Sequence, residues 1–283
     1  DLVQRYLNAI TQSGVEIVEI GFRSNTADSY MGACFYTTDD FLECLDIPDH
    51  LEVAVMVNGA DLFKHPWGPV GAINDLFAPA AQSPVDWVRI AAHPSEAVNL
   101  DAGIQRLHEL GYRVALNIMQ ISRLSSDQVQ RTVAQIANNE APDILYFADS
   151  LGNMTPAEVR RIIGDIRTAW KGALGIHTHD NMGLALANSI EAMNCGCVWM
   201  DGTVYGMGRG AGNASTEDIL LQLAQKQPQR FHPTSLFELI RNDFEPLMKK
   251  HNWGSNMYYA YAASHEIHPT YVQQMLSTDS YQT

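Results

Sequence analysis

The chain has 283 residues, enough for one large α/β domain with a sizeable core or for two small domains. Apolar residues make up 46% and charged residues 18%, a globular balance that leaves no room for a long disordered region. Against 18 Lys and Arg stand 32 Asp and Glu, a formal net charge of -14 that repels phosphate backbones and anionic lipid, which argues against nucleic-acid and membrane partners.

The chain opens with a helix pattern over residues 2–11, in which Leu2, Tyr6, Leu7 and Ile10 share one face. From there, short β-branched runs alternate with amphipathic stretches, the rhythm of repeated βα units around a parallel sheet. Seven such runs are expected as strands, at 15–21, 51–58, 86–92, 112–120, 143–149, 173–177 and 198–203. Helices are expected at 97–110, 127–138, 156–170 and 184–193. Start signals stand at Thr38-Asp39-Asp40 before Phe41, Ser125 before Val129 and Thr155-Pro156 before Val159. Seven strands behind a leading helix are what a TIM (β/α)8 barrel looks like when its first strand lies upstream of residue 1. The alternative, an open doubly wound sheet, lacks its Gly-rich phosphate fingerprint after the early strands.

The barrel is expected to occupy 1–227. Pro228, His232 and Pro233 then break the pattern, and a helical, aromatic-rich C-terminal extension fills 228–283, with a helix at 236–250 and a helix or turn at 253–261. No stretch of about 18 apolar residues occurs, and no basic start with an apolar run marks a signal peptide, so a soluble, cytoplasmic protein is expected. Cys34, Cys44, Cys195 and Cys197 are too few for a disulfide framework, and Cys195-Gly196-Cys197 lacks zinc-knuckle spacing.

Chemistry concentrates near the end of the barrel. His177 and His179 are separated by one residue in a strand, so the two-residue period turns both imidazoles to one face. That is ligand geometry for a divalent ion, although two satisfied loop histidines would look the same. The next run leads into Gly206-Met207-Gly208-Arg209-Gly210-Ala211-Gly212-Asn213. Gly208 and Gly210, with Arg209 between them, either admit a carboxylate or phosphate to backbone N–H groups or build a tight turn. Asn213 offers an amide oxygen beside the histidines.

His177-Thr178-His179-Asp180-Asn181-Met182-Gly183-Leu184-Ala185-Leu186-Ala187-Asn188, followed by the glycine loop, resembles the DRE-TIM metallolyase superfamily. Val18-Glu19-Ile20-Gly21 resembles its strand-two end and Ala148-Asp149-Ser150-Leu151-Gly152-Asn153-Met154 its strand-six end, so the likeness covers nearly the whole chain. Val88-Arg89-Ile90-Ala91-Ala92-His93 and Asp149-Ser150 look most like the 4-hydroxy-2-oxovalerate aldolase-like branch, and Val204 to Gly212 lacks the loop cysteine of the acyl-CoA lyases.

The resemblance implies a metal held by His177, His179 and Asn213, with Mn2+ or Mg2+ the expected ion and Co2+ or Zn2+ also suited to the donors. It implies a lyase that cleaves or forms a carbon–carbon bond of a 4-hydroxy-2-oxo acid through a pyruvate enolate stabilised by that metal, with a 2-oxo acid and an aldehyde as its small-molecule partners. It implies a homo-oligomer working beside an aldehyde dehydrogenase. Glu19, His93, Asp149 and a tail tyrosine, Tyr258 or Tyr261, are the catalytic candidates. Asp149 reads equally as a helix cap. Arg89 is either a substrate contact or a strand residue paired inside the barrel, and Arg23 or Arg209 is placed to meet a substrate carboxylate.

One departure stands out. The superfamily's Thr-Leu-Arg-Asp-Gly segment on strand one, which brings a metal-binding aspartate and an enolate-steadying arginine, is absent from these residues, and the chain as written is expected to be impaired. The rival readings are a Claisen-type acyl-CoA/2-oxo acid synthase of the isopropylmalate synthase kind, an amidohydrolase and a catalytically silent barrel that acts as a binding partner. The amidohydrolase reading is weakened because Asn117 and Asp149 stand where further histidines are needed.

Overall fold

The computed structural model describes residues 2–24, 26 and 29–278. Seven parallel strands form one sheet in sequential order. They are β1 (Ile17–Phe22), β2 (Glu52–Asn58), β3 (Trp87–Ala92), β4 (Arg113–Ile118), β5 (Ile144–Asp149), β6 (Ala173–Thr178) and β7 (Trp199–Met200). All seven expected runs appear. The last is cut to two residues, because only Gly175 opposite Trp199 and Ile176 opposite Met200 pair it with β6.

The strands read as apolar runs because helices cover one face and the sheet's own curl covers the other; every residue of β5 is buried. Val53, Val55 and Val57 of β2, Val88 and Ile90 of β3, and Val114 and Leu116 of β4 join the core shared with the helices. Alternate residues, Ala54, Trp87, Ala115, Ile144 and Tyr146, form the interior cluster, with Ile17, Ala173 and Trp199 against it. The sheet curls far enough that Trp87 of β3 and Trp199 of β7 meet edge to face at 4.8 Å. This is an α/β, TIM-barrel-like fold, with β1 and β7 at its two edges among the described residues.

The N-terminal end of the barrel is plugged. Trp87 Nε1 donates to Glu52 Oε2 at 2.7 Å, and Arg113 stacks over the Trp87 ring at 4.3 Å while bonding Glu52 Oε1. The candidate residues lie at the other end, at the C-terminal ends of the strands.

Helix starts follow the capping chemistry. Thr38, Ser125 and Thr155 accept from the N–H groups of Phe41, Gln128 and Glu158. Gln128 and Glu158 return the bond to the cap residue's own N–H, completing two capping boxes. Gly59–Lys64 and Gly68–Leu76 are helices the sequence pattern does not signal.

A second core joins the Leu2–Gln12 helix to the C-terminal segment, with Leu7, Ile10 and Val18 packing with Phe231, Leu236, Phe244 and Trp253. Burying a side chain such as Leu7 or Ile10 contributes roughly 1.5–3 kcal/mol. The helix expected at 236–250 is present as the continuous helical run Phe237–His251, with one irregularity. Ile240–Phe244 forms a π turn and Glu245–His251 resumes as α-helix. Pro246 accounts for the π turn, since it has no N–H for the carbonyl of Asn242 and its ring would clash there in a regular α-helix. The helix or turn expected at 253–261 begins later, as the helix Met257–Ser264, and a further helix, Pro269–Ser277, follows. No helix among the described residues is long and apolar enough to cross a membrane.

Candidate active site

The histidine pair sits where the curl opens. The alternation along β6 turns Ala173, Gly175 and His177 inward and carries on to His179, and the two imidazole centroids lie 5.1 Å apart. Asn213 reaches them through the glycine loop. His179 and Asn213 form an isolated antiparallel bridge, and Asp180 N–H donates to Gly212 O at 3.0 Å.

The glycines exist for that approach. A Cβ on Gly212 would lie 2.3 Å from Gly206 O, and one on Gly208 would lie 2.5 Å from Asn213 Nδ2. Gly210 has φ +63, and a Cβ there would meet the Tyr259 ring at 3.1 Å. Of the two sequence readings for Gly208 and Gly210, the structure favours the tight turn, because both face protein atoms. Asn213 Nδ2 donates to Met207 O at 3.1 Å, and its Oδ1 is buried with no partner among the described residues.

Beneath the histidines lies a buried ionic network. Arg89 on β3 donates through Nη2 to Glu19 Oε1 of β1 at 2.6 Å and through Nη1 to Asp201 Oδ2 beyond β7. His177 Nδ1 stands 2.9 Å from the same Asp201 oxygen. Burial alone would raise the Asp201 carboxyl, yet the Arg89 charge and the His177 hydrogen bond hold it well below the usual carboxylate range. Asp201 is therefore the acceptor and His177 Nδ1 the donor, which orients the ring and turns Nε2 away from Asp201. Tyr146 lies 5.5 Å beneath the Arg89 guanidinium, and burial together with the Asp201 charge pushes its phenol well above its ordinary value. Burial, with His177 and Arg209 adding positive charge nearby, pushes His179 down to about 3, so its imidazole is neutral.

The donor chemistry thus fits a divalent ion: two imidazoles on one face and a bare amide oxygen. Among the described residues no cluster of three or more His, Cys, Asp or Glu side chains is arranged to hold a metal.

The other candidates are dispersed. Arg89 and Glu19 pair with each other inside the barrel. His93 caps the Pro94–Ala97 turn, where its N–H donates to Glu96 Oε2 at 2.9 Å. Arg209 is exposed, and its charge, with those of Arg123 and His93, adds to burial in lowering His268.

Three expectations are corrected. Asp149 faces the helix layer: it accepts from the N–H groups of Asn153 at 3.1 Å and Met154 at 3.2 Å, and burial raises it to about 7. Its neighbour in register, Thr178, likewise turns outward to Ser189. Arg23 is buried, bonded to Thr37 O and Asp39 and stacked over Phe77, so it anchors the β1 end rather than meeting a substrate. Tyr258 and Tyr261 are exposed on the tail helix. The tyrosine against the glycine loop is Tyr259, buried with Ala211, Ala262 and Val272. Its spacing from Ala262 and Ala263 marks the buried face of that helix and was the available signal.

These elements have counterparts in known proteins. The chain is 30% identical over 217 residues to the 4-hydroxy-2-oxovalerate aldolase of Pelotomaculum thermopropionicum, covering 76% of this chain and 61% of that protein. It thus spans about three fifths of that relative's length. The crystal structure of the N-terminal domain of a candidate aldolase from Bacteroides vulgatus superposes with a TM-score of 0.82 at 28% identity, covering 98% of this chain and 89% of that one. The HMG-CoA lyase of Bacillus subtilis shares the fold, with a TM-score of 0.68 at 16% identity over 92% of this chain and 89% of that one. The HMGL-like family model matches residues 87–242, from β3 through the histidine pair and the glycine loop, and the chain belongs to that family.

Proposed function

We propose that this chain carries the catalytic face of a divalent-metal-dependent aldolase that cleaves or forms the C3–C4 bond of a 4-hydroxy-2-oxo acid. The observation that supports this most is the meeting of His177, His179 and the unpartnered Asn213 Oδ1 at the open end of the barrel. These three would hold the ion, Mn2+ or Mg2+, and the relatives named as 4-hydroxy-2-oxovalerate aldolases give the substrate class. A bound divalent ion supplies the positive charge that stabilises an enolate as the bond breaks.

The chain's own residues do the rest. Asp201 fixes the His177 tautomer and Arg89 fixes Asp201, with Glu19 balancing the second half of the guanidinium. His93, at the C-terminal end of β3, accepts the proton of the 4-hydroxyl, and Arg209 attracts the substrate carboxylate to a mouth in an otherwise acidic protein. The Trp87 plug keeps bulk water from entering at the opposite end.

The test is retro-aldol turnover of a 4-hydroxy-2-oxo acid by the full-length protein, with and without Mn2+, alongside His179→Asn. Pyruvate release that requires the metal, and loss of both Mn2+ binding and turnover in a folded variant, are expected. Turnover that persists after chelation, or thiol release from acetyl-CoA in its place, would overturn the assignment.

A further inference from the structure

Asn117 occupies the inward column of β4, two residues past Ala115 of the interior cluster, and lies in register with Ala91 of β3 and Tyr146 of β5. It is only 4% exposed, yet its Oδ1 has no hydrogen-bond partner among the described residues. Around it, Glu19, Arg89 and Asp201 are bound to one another, and Tyr146 is engaged with Asp201. Ala91, its neighbour in register on β3, carries only a methyl group.

A buried acceptor without a donor destabilises the fold, and an apolar side chain of the same size would avoid that cost. Its retention at the open end of a barrel points to a ligand that supplies the donor. Resting on the aldolase reading above, the choice of donor follows from substrate chemistry. At neutral pH the carboxylate and the 2-oxo group of a 4-hydroxy-2-oxo acid only accept hydrogen bonds, and the hydroxyl is its one donor. We infer that Asn117 is a substrate-binding residue whose side-chain oxygen accepts a hydrogen bond from the 4-hydroxyl of the bound 4-hydroxy-2-oxo acid, before that proton passes to His93, and so selects hydroxylated substrates.

The experiment compares two ligands in the Mn2+-loaded full-length protein, 4-hydroxy-2-oxopentanoate as substrate and pyruvate as inhibitor. Asn117→Leu should lower kcat/KM for the hydroxy acid about tenfold or more, since a site built to bond a hydroxyl suffers when the bond is lost. The Ki of pyruvate, which has no hydroxyl, should stay unchanged, and the melting temperature should not fall, because an unpaired acceptor has been removed. Asn117→Ser, which keeps an acceptor, should recover part of the loss and supplies the same comparison if the leucine variant fails to fold. An unchanged kcat/KM in the leucine variant, or a pyruvate Ki that rises in step with the loss, overturns the inference while leaving the aldolase reading intact. Absence of turnover in the wild-type protein overturns that reading and this inference with it.

Discussion

Replacing Asp201 with Asn tests the network under the histidines most directly. The Asp201 carboxylate accepts from both Arg89 and His177, and its side chain is 22% exposed against 11% for Arg89, so solvent screens neither bond strongly. Each charge-assisted hydrogen bond of this kind contributes roughly 1.5–3 kcal/mol. Removing the charge leaves Arg89 with Glu19 as its one counter-ion, and breaking a buried pair from one side costs on the order of 3–5 kcal/mol. Urea unfolding at neutral pH should report a loss of that size. Because Asp201 also fixes which nitrogen of His177 carries the proton, Mn2+ affinity by calorimetry should fall about 10–100-fold in variant that is still folded. The acid limb carries a further signature. A carboxyl held below its unfolded value of 3.8 contributes stability above that value and loses it as pH falls through the folded value, so the variant should be less acid-sensitive than wild type below about pH 4. An Mn2+ affinity equal to wild type in the folded variant would refute the positioning argument even if stability fell as expected.

Two other substitutions probe neighbouring claims. Asp149 is raised from 3.8 to about 7 by burial, so the folded state holds its proton more tightly than the unfolded state; the stability this adds is complete below about pH 4 and is lost as pH rises towards 7. Thermal melts of wild type should decline from pH 5 to pH 8 by an amount on the order of 2–3 kcal/mol, and Asp149→Asn should flatten that decline; parallel profiles would show that Asp149 is not the group responsible. Gly175→Ala would set a methyl 2.5 Å from the Tyr146 ring in the barrel interior, and the overpacking should cost about 1–3 kcal/mol; a variant as stable as wild type in urea would mean that Tyr146 can move aside freely.

Much of the architecture was legible because the strands are buried on both faces and each is followed by a segment with its own capping residues, as at Ser125 and Thr155. The segments that were missed obey weaker local rules. Gly59–Lys64 and Gly68–Leu76 contain Gly59, Gly68, Pro69 and Gly71, residues that disfavour helix, and they are held by burying Leu62, Ala72 and Ile73. In the C-terminal segment the apolar periodicity across 236–250 does form a helix, and Pro246 shows only as a π turn within it.

The site divides along the same line between local and distant determinants. His177 and His179 are readable because two residues of separation in a strand fix a shared face whatever lies elsewhere. The group that orients His177, Asp201, stands just past a two-residue strand with no motif around it, and its other partner, Arg89, is 112 residues away in sequence. Parity of burial also decides against Asp149, since one residue's shift along β5 separates the inward Tyr146 column from the outward carboxylate, and a strand end alone does not say which parity applies. The glycine loop shows why a motif can be recognised before its purpose is known. Gly208 suits an anion cradle and a tight turn equally in sequence, and the 2.5 Å between its absent Cβ and Asn213 Nδ2 identifies what glycine permits there: the approach of the amide to the histidines. On that basis an alanine at 208 should act on Asn213 before it acts on any bound carboxylate.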